Sequence, residues 1–117
     1  MGILYVDGVV KGRTEESRAV RFLVDSGATY SLLPYDDWRA LDLRPTRRLA
    51  FVLADGSQIE RDVSECHITV PHGEGHTPVI LGAPGDEALL GTVTLEILGL
   101  VLNPFNRTLG PARMLLA

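Results

Sequence analysis

The strongest structural signal in the sequence is the segment Phe22-Leu23-Val24-Asp25-Ser26-Gly27-Ala28. Its apolar residues predict a strand that enters a core, and the residues after them favour a turn. A carboxylate therefore stands at the end of a buried strand, followed by a hydroxyl and by a glycine that lets the backbone approach closely. Hydrolysis by a pair of acids needs such a carboxylate to deprotonate water, and a second acid to protonate the carbonyl oxygen.

Extended segments precede this stretch. Ile3 to Val10 predicts a first strand, with Asp7-Gly8 as a bulge or bend within it. The polar residues Gly12 to Ser17 predict a loop, and Arg18 to Val24 predicts the strand that leads to Asp25. The segment before the turn is thus expected to be a pair of strands.

A short helix is predicted soon after the turn. Pro34 suits the first turn of this helix, and Asp36 and Asp37 lie near its N-terminus, where carboxylates are favourable. Trp38 and Leu41 are three residues apart and are expected to face the core together.

A hairpin follows, because Ala54-Asp55-Gly56-Ser57 separates two extended runs and Asp-Gly is a strong hairpin signal. The Gly- and His-rich segment Pro71 to Pro78 predicts a loop. The strands predicted in this part of the chain are Leu49 to Leu53, Gln58 to Val63, Cys66 to Val70 and Val79 to Leu81.

The C-terminal part begins with Leu89-Leu90-Gly91. Thr92 to Leu98 also alternates as a strand would, but Thr92 as a cap and Gly99 as a stop favour a short helix. Strands are predicted at Leu100 to Leu102 and Met114 to Leu116. The whole pattern predicts one mainly β domain, residues 1–117, with one or two short helices.

These segments resemble the retropepsin-like aspartic protease family, in the form of its small prokaryotic single-domain members. The family's signature of two apolar residues, Asp, Thr or Ser, Gly, and Ala or Ser is matched by Leu23 to Ala28. Its second signature, two apolar residues and Gly before a short helix, is matched by Leu89-Leu90-Gly91. Between the two, Phe51 to Ile59 is similar to the family's flap hairpin. The resemblance extends over roughly residues 3 to 109 and implies a closed or partly open β-barrel.

The resemblance also implies an aspartic endopeptidase without a cofactor or metal, acting on peptide or protein substrates. Asp25 would be the catalytic residue. Active-site support would come from Ser26, Gly27, Ala28, Leu89, Leu90 and Gly91. The substrate-covering flap would consist of Leu53, Ala54, Asp55, Gly56 and Ser57, with no chemistry assigned to Asp55 itself.

Counting the acids predicts the assembly. The chain has only one Asp-Ser-Gly or Asp-Thr-Gly sequence, whereas the chemistry needs two facing carboxylates. Asp25 is therefore expected to meet Asp25 of a second copy across a two-fold axis, in a homodimer. Substrate would lie between the two copies, under both hairpins.

The composition of the chain indicates which other binding partners and which cellular compartment to expect. The net charge of -4 argues against binding to nucleic acid, which needs clustered Lys and Arg. The apolar run Leu89 to Leu102 falls short of the roughly 20 residues that span a membrane. Cys66, the only cysteine, is expected to be a small core residue, and its isolation fits a reducing compartment. With no leader evident in Met1 to Asp7, we expect a cytoplasmic protein.

Three other interpretations compete. Ser26 as a hydrolase nucleophile lacks the Gly-x-Ser-x-Gly pattern. The nearest set of metal ligands is Cys66, His67, His72, Glu74 and His76, whose spacing and interspersed Gly and Pro favour a solvated loop instead. The third alternative is a dimerisation or peptide-binding module of the same fold with little or no hydrolysis. The intact Asp25-Ser26-Gly27 favours the enzyme over this module.

Overall fold

The structure, a computed structural model, describes residues 3–103, 105–113 and 116. Most of these residues lie in strands, which confirms the mainly β prediction. In chain order the elements are β1 (Tyr5–Lys11), β2 (Ser17–Val24), β3 (Ser31–Leu33), α1 (Tyr35–Ala40), β4 (Arg47–Val52), β5 (Gln58–Val70), β6 (Gly73–Leu81), β7 (Leu89–Leu90), α2 (Thr92–Ile97), β8 (Leu100–Asn103) and β9 (Thr108–Pro111).

The main sheet closes on itself. Its seven strands follow the order β1-β2-β7-β3-β6-β5-β4, and β1 also pairs with β5. This extra pairing joins β1, β2, β7, β3, β6 and β5 into a ring and leaves β4 as an outer strand on β5. Closure gives each strand of the ring a neighbour on both sides, and it confirms the predicted barrel. The β8 and β9 strands form a separate hairpin.

Alternating side chains fill the interior of the ring. In β2, Val20, Phe22 and Val24 are buried, while Ala19 and Arg21 on the other face are exposed. Phe22 has no accessible surface, and truncating such a residue to alanine costs roughly 3–5 kcal/mol. The residue that follows β2, Asp25, is therefore attached to one of the most firmly packed strands of the core.

The predicted bulge at Asp7-Gly8 is wrong. The β1–β2 ladder is continuous from Tyr5 opposite Leu23 to Lys11 opposite Ser17. Gly8 has a packing role instead, since a Cβ there would lie 3.0 Å from the Phe22 ring and 3.1 Å from the Thr69 carbonyl oxygen. The glycine that suggested a bend thus allows two strands to pack closely.

The region after the hairpin contains more strand than predicted. Gln58 to Val63 and Cys66 to Val70 are parts of one strand, β5. The predicted loop at Pro71 to Pro78 is also wrong, because β6 begins at Gly73 and pairs with β5 along its length. The chain reverses at Pro71 and His72, where His72 has a positive φ of 75°. Pairing with β5 outweighs the low strand propensity of these residues.

The short helices are present at the predicted places with small differences at their starts. Pro34 is extended and immediately precedes α1, whose first turn contains Asp36 and Asp37. Gly91, not Thr92, occupies the N-cap position of α2, and no side chain caps it. Neither helix of the described residues is long and apolar enough to cross a membrane.

The C-terminal part differs from the prediction in one strand. The strand predicted at Leu100 to Leu102 is confirmed as β8, after Gly99 with a φ of 70°. Its partner is β9, which the sequence did not predict. Of the strand predicted at Met114 to Leu116, Met114 and Leu115 lie outside the described residues.

Candidate active site

Asp25 begins a short turn at the end of β2, called here the Asp25 loop (Asp25–Thr29). Its Oδ1 accepts a hydrogen bond from the Gly27 N–H at 2.9 Å, and its carbonyl oxygen accepts one from the Ala28 N–H at 3.1 Å. This is the turn that Asp, Ser and Gly favour locally. Asp25 is half-buried, while Ser26 and Gly27 are exposed. The carboxylate is therefore fixed by its own loop and still reachable from solvent.

The segment Leu90–Val93 supports the Asp25 loop from behind. The Asp25 N–H donates to the Leu90 carbonyl oxygen at 3.0 Å. In the other direction, the Thr92 and Val93 N–H groups donate to the carbonyl oxygens of Ala28 and Thr29 at 2.9 and 3.0 Å. These two donors are among the first N–H groups of α2, which have no partner inside the helix. The loop is thus held by three backbone hydrogen bonds from one segment.

Gly91 makes this close approach possible. A Cβ at this position would lie 2.7 Å from the Tyr30 carbonyl carbon and oxygen, and 2.8 Å from the Thr29 carbonyl oxygen. These distances are shorter than any van der Waals contact, so only glycine fits here without a backbone shift. The Leu-Leu-Gly pattern therefore has a steric reason in this fold.

The Asp25 carboxylate has few partners of its own. Within the described residues, no Lys, Arg or His side chain forms an ion pair with it. The Ser26 hydroxyl likewise makes no hydrogen bond to any described residue. An acid and a hydroxyl are thus presented at the surface with their hydrogen-bonding capacity largely unused.

The hairpin between β4 and β5 carries the predicted flap tip, Leu53–Ser57. The Leu53 N–H donates to the Ser57 carbonyl oxygen at 2.8 Å, and Gly56 has a positive φ of 87°. The Asp55 Oδ1 accepts from the Ser57 hydroxyl at 2.5 Å and from the Ser57 N–H at 2.9 Å. These bonds hold the pKa of Asp55 below its usual value. Asp55 thus stabilises the turn.

An apolar cleft of about 530 Å³ lies between the Asp25 loop and the hairpin. The Tyr30 ring stands edge-on to the Phe51 ring at 5.7 Å, and its hydroxyl accepts a hydrogen bond from Arg47 at 3.1 Å. Tyr30 therefore connects the end of the loop with the hairpin. The cleft is lined by Gly27, Ala28, Thr29, Tyr30, Leu32, Phe51, Val52, Leu53, Ile59, Arg61, Ile80, Asp86 and Leu89.

The structure brings together most, but not all, of the predicted site residues. Asp25 to Ala28 lie against Leu90 and Gly91, and Leu89 reaches the cleft. Of the predicted flap residues only Leu53 lines the cleft, whereas Ala54 to Ser57 extend beyond it and are exposed. The hairpin wall is instead formed largely by Phe51 and Ile59.

Several residues of the site were not identified from the sequence. Phe51 and Ile59 were predicted as the ends of the flap hairpin but not as residues that line the site. They are direct cross-strand partners, so their symmetric position about the Asp-Gly turn was an available signal. Three buried hydroxyls behind the loop were also missed: Ser31, Thr77 and Thr94. Their signal is weak, because a single Ser or Thr within an apolar run resembles any surface position of a strand.

In the part of the chain that the structure describes, no three His, Cys, Asp or Glu side chains lie close enough together to hold a metal ion. His67 and His76 face each other across β5 and β6 with ring centroids 5.1 Å apart, and the His67 Nε2 lies 3.3 Å from the Glu74 carboxylate. Cys66 is buried as predicted, and burial raises the pKa of its thiol to about 12. The thiol is therefore protonated and unreactive near neutral pH.

Comparisons with known proteins agree with this geometry. In solved structures, the chain is similar to the simian foamy virus (mac) protease, with 22% identity, a TM-score of 0.58, and coverage of 79% of this chain and 91% of that one. It is also similar to the protease of EIAV in complex with the inhibitor HBY-793, with 17% identity, a TM-score of 0.62, and coverage of 98% and 94%. At these identities the likeness establishes the fold.

A search of curated proteins found no significant match. The sequence profile described as "gag-polyprotein putative aspartyl protease" matches residues 10–96, which is more than half of the chain. That range includes the Asp25 loop, the hairpin and the Leu-Leu-Gly segment. The chain belongs to the gag-polyprotein aspartyl protease family.

Proposed function

We propose that the protein is an aspartic endopeptidase that acts as a homodimer, with one Asp25 from each copy. The observation that carries this proposal is the Asp25 carboxylate itself. It is half-buried, fixed at the end of β2 by backbone hydrogen bonds, and without a cationic partner among the described residues. Because the sequence contains a single such Asp-Ser-Gly, the second acid has to come from a second copy.

The reaction follows from two carboxyl groups that share one proton, since like charges about 3 Å apart cannot both ionise. The charged Asp25 takes a proton from water, and the water oxygen attacks the peptide carbonyl carbon. The protonated Asp25 of the other copy gives its proton to the carbonyl oxygen, which forms a tetrahedral diol. When the diol collapses, the first Asp25 gives the proton it took from water to the amine nitrogen and the C–N bond breaks. The second Asp25 takes back a proton from a diol hydroxyl, so both acids return to their starting states and no acyl-enzyme forms.

The cleft beside the loop suits an apolar side chain of the substrate. Its floor includes Leu32, Ile80 and Leu89, and its hairpin wall includes Phe51 and Ile59. In a dimer, two copies of this cleft would flank the paired acids, and the two hairpins would cover the peptide and exclude water. The Ser26 hydroxyl, which has no partner among the described residues, would then be available to the neighbouring loop.

A cleavage assay tests the activity. Wild-type protein is incubated with a denatured protein mixture at several values between about pH 4 and 7, so that a change in the protonation of the paired carboxyl groups appears as a change in rate. We expect cleavage with a bell-shaped pH dependence, inhibition by pepstatin, and loss of activity in Asp25→Asn. Asp7→Asn, an exposed carboxylate on β1, is the matched control and should remain active. Peptide binding without turnover by the wild type would instead identify a binding module.

Mixing tests the shared site. Wild-type and Asp25→Asn chains are combined in equal amounts and allowed to exchange partners. If each site needs two Asp25 residues, random pairing lowers the activity per wild-type chain to about half. An unchanged activity per wild-type chain would show that one chain suffices, and it would overturn the dimer mechanism.

A further inference from the structure

Three buried hydroxyls form a chain of hydrogen bonds behind the Asp25 loop. The Ser31 and Thr94 side-chain oxygens are 2.5 Å apart, and those of Thr94 and Thr77 are 2.7 Å apart. Ser31 and Thr94 have no accessible surface and Thr77 has 1%. The three residues come from β3, α2 and β6, so this hydroxyl chain (Ser31, Thr94, Thr77) connects three separate elements of the fold.

The direction of every bond in the hydroxyl chain follows from counting protons. The Thr77 hydroxyl donates its single proton to the Pro78 carbonyl oxygen at 3.2 Å. Thr94 must therefore donate to Thr77, and Ser31 must donate to Thr94. At the other end, the Gly91 N–H donates to the Ser31 oxygen at 3.0 Å. The protons run one way, from the Gly91 amide to the Pro78 carbonyl.

This chain ends on the peptide group that holds Asp25. The Gly91 N–H and the Leu90 carbonyl belong to one planar peptide unit. Its oxygen accepts the hydrogen bond from the Asp25 N–H at 3.0 Å, while its N–H donates to Ser31. Rotation of this plane would break both bonds together. Hydrogen bonds in series also polarise one another where the groups are buried, as these three hydroxyls are, so the outer bonds strengthen the one to Asp25.

We propose that Ser31, Thr94 and Thr77 are positioning residues that fix the Leu90–Gly91 peptide and, through it, the backbone of Asp25. The effect of the hydroxyl chain on catalysis rests on the proposed protease function. A hydroxyl with only a structural role would affect activity in proportion to stability. A positioning role makes activity depend on how near the lost hydroxyl stands to Gly91.

Kinetics on single variants separate the two roles. Ser31→Ala, Thr94→Val and Thr77→Val each leave a buried partner unsatisfied, so their melting temperatures should fall by similar amounts. We expect kcat to fall most for Ser31→Ala and least for Thr77→Val, with a decrease of about tenfold for Thr94→Val. The KM of each variant should stay within about twofold of the wild-type value. Thr94→Ser keeps the hydroxyl and should restore kcat.

Ser64→Ala is the matched control. Ser64 is a buried serine with 3% of its surface accessible, and its hydroxyl donates to the Arg44 carbonyl oxygen at 2.6 Å, away from the Asp25 loop. It should lose stability as Ser31→Ala does but keep kcat. Equal losses of kcat in Ser64→Ala and Ser31→Ala, or losses that simply follow melting temperature, would overturn the positioning role.

Amide hydrogen exchange measured by NMR gives a test that needs no activity. If the hydroxyl chain fixes the Leu90–Gly91 peptide, the Asp25 and Gly91 amides should exchange faster in Thr94→Val, relative to the amides of β2. Thr94→Ser and Ser64→Ala should leave them unchanged. Exchange that is the same in Thr94→Val and the wild type overturns the inference. A wild type that cleaves no peptide would overturn the proposed function and leave this measurement valid.

Discussion

Two turns of this protein have the same local construction and different surroundings. In Asp25-Ser26-Gly27 and in Asp55-Gly56-Ser57, the aspartate Oδ1 accepts a hydrogen bond from the N–H two residues later, at 2.9 Å in both. The Asp25 loop is held from behind by three backbone hydrogen bonds from the segment Leu90–Val93. The turn at Asp55 projects from its strand pair and is exposed throughout.

The two aspartates also use their oxygens differently. Asp55 takes up the Ser57 hydroxyl as well, so its carboxylate is committed to its own turn. Within the described residues the Ser26 hydroxyl donates to nothing, and the Asp25 carboxylate accepts no other hydrogen bond. Local sequence therefore produces the turn in both places, while packing behind the turn decides which carboxylate is rigid and still available.

Gly91→Ala should have the largest effect. The new methyl group would lie 2.7 Å from the Tyr30 backbone and 2.8 Å from the Thr29 carbonyl oxygen, and relief would require moving the peptide that binds Asp25. We expect the free energy of unfolding to fall by roughly 2–3 kcal/mol, the upper part of the usual range for overpacking, together with any peptidase activity. Urea denaturation measures the first and peptide cleavage the second.

Gly110→Ala provides the control for this change, because no atom of the described residues lies within 4 Å of a Cβ at that position. It should unfold within about 0.5 kcal/mol of the wild type, as most surface substitutions do. If Gly91→Ala is as stable as Gly110→Ala, the close approach of residue 91 to the Asp25 loop is not what supports that loop.

The sequence predicted the parts of this fold whose signal is local. Local sequence was sufficient to identify Asp25 after an apolar strand, the Asp-Gly hairpin and the Leu-Leu-Gly segment. The predicted barrel and the predicted family are confirmed. The sequence of β6 predicts a loop because its Gly, His and Pro content favours turns, whereas pairing with the thirteen-residue β5 imposes an extended backbone. The bend predicted at Gly8 is wrong for a related reason. This glycine leaves room for the Phe22 ring, and that contact comes from the packing of two strands and not from the local sequence.

The surroundings of the site were less predictable than its central residue. Tyr30, Phe51 and Ile80 meet in the cleft from three distant places in the sequence. The hydroxyl chain is assembled in the same way from residues 31, 77 and 94. Their local sequences carry no sign of that meeting, because only the strand order brings them together. The roles of Asp25 and the flap residues remain predictions.

The second prediction concerns Cys66, at the buried end of β5, the same strand that begins at the flap tip. Burial raises the pKa of its thiol from 9.0 to about 12. The unfolded thiol loses its proton near pH 9 and the folded one does not, so the stability from this group is complete below pH 9 and decreases as pH rises toward 12. At pH 10.5 the loss should be about 2 kcal/mol.

Denaturation of the wild type and Cys66→Ala at pH 8 and at pH 10.5 measures this loss, since Tyr and Lys titrations are common to both proteins. The wild type should lose more stability between the two pH values than Cys66→Ala does. Parallel losses would mean that the thiol is not shielded from water.

Gly56→Ala should have a smaller effect, of a different origin from that of Gly91→Ala. In the part of the chain that the structure describes, no atom lies within 4 Å of a Cβ at residue 56, but the φ of 87° is unfavourable for any residue with a side chain. The cost should be about 1 kcal/mol, confined to the turn. Amide exchange in Val52 to Gln58 should accelerate while that of β2 is unchanged. Gly56→Asn, which tolerates this conformation better, should lie between the variant and the wild type.

The smallest effect on stability is expected when low pH protonates the Asp55 carboxylate. The Ser57 hydroxyl and N–H hold the pKa of the Asp55 carboxyl below 3.8, so the charged form stabilises the turn. That contribution is complete above pH 3.8 and is lost as pH falls through the lower folded value. NMR titration of the Asp55 carboxyl carbon in wild type and Ser57→Ala measures it, and the variant should titrate at higher pH. Identical titrations would mean that the hydroxyl bond does not form in solution. We expect protonation of Asp55 to loosen only residues 53 to 57, because nothing in the described residues packs behind this turn. The corresponding hydrogen bond from the Gly27 N–H to Asp25 would then be rigid because Leu90 and Gly91 support its loop.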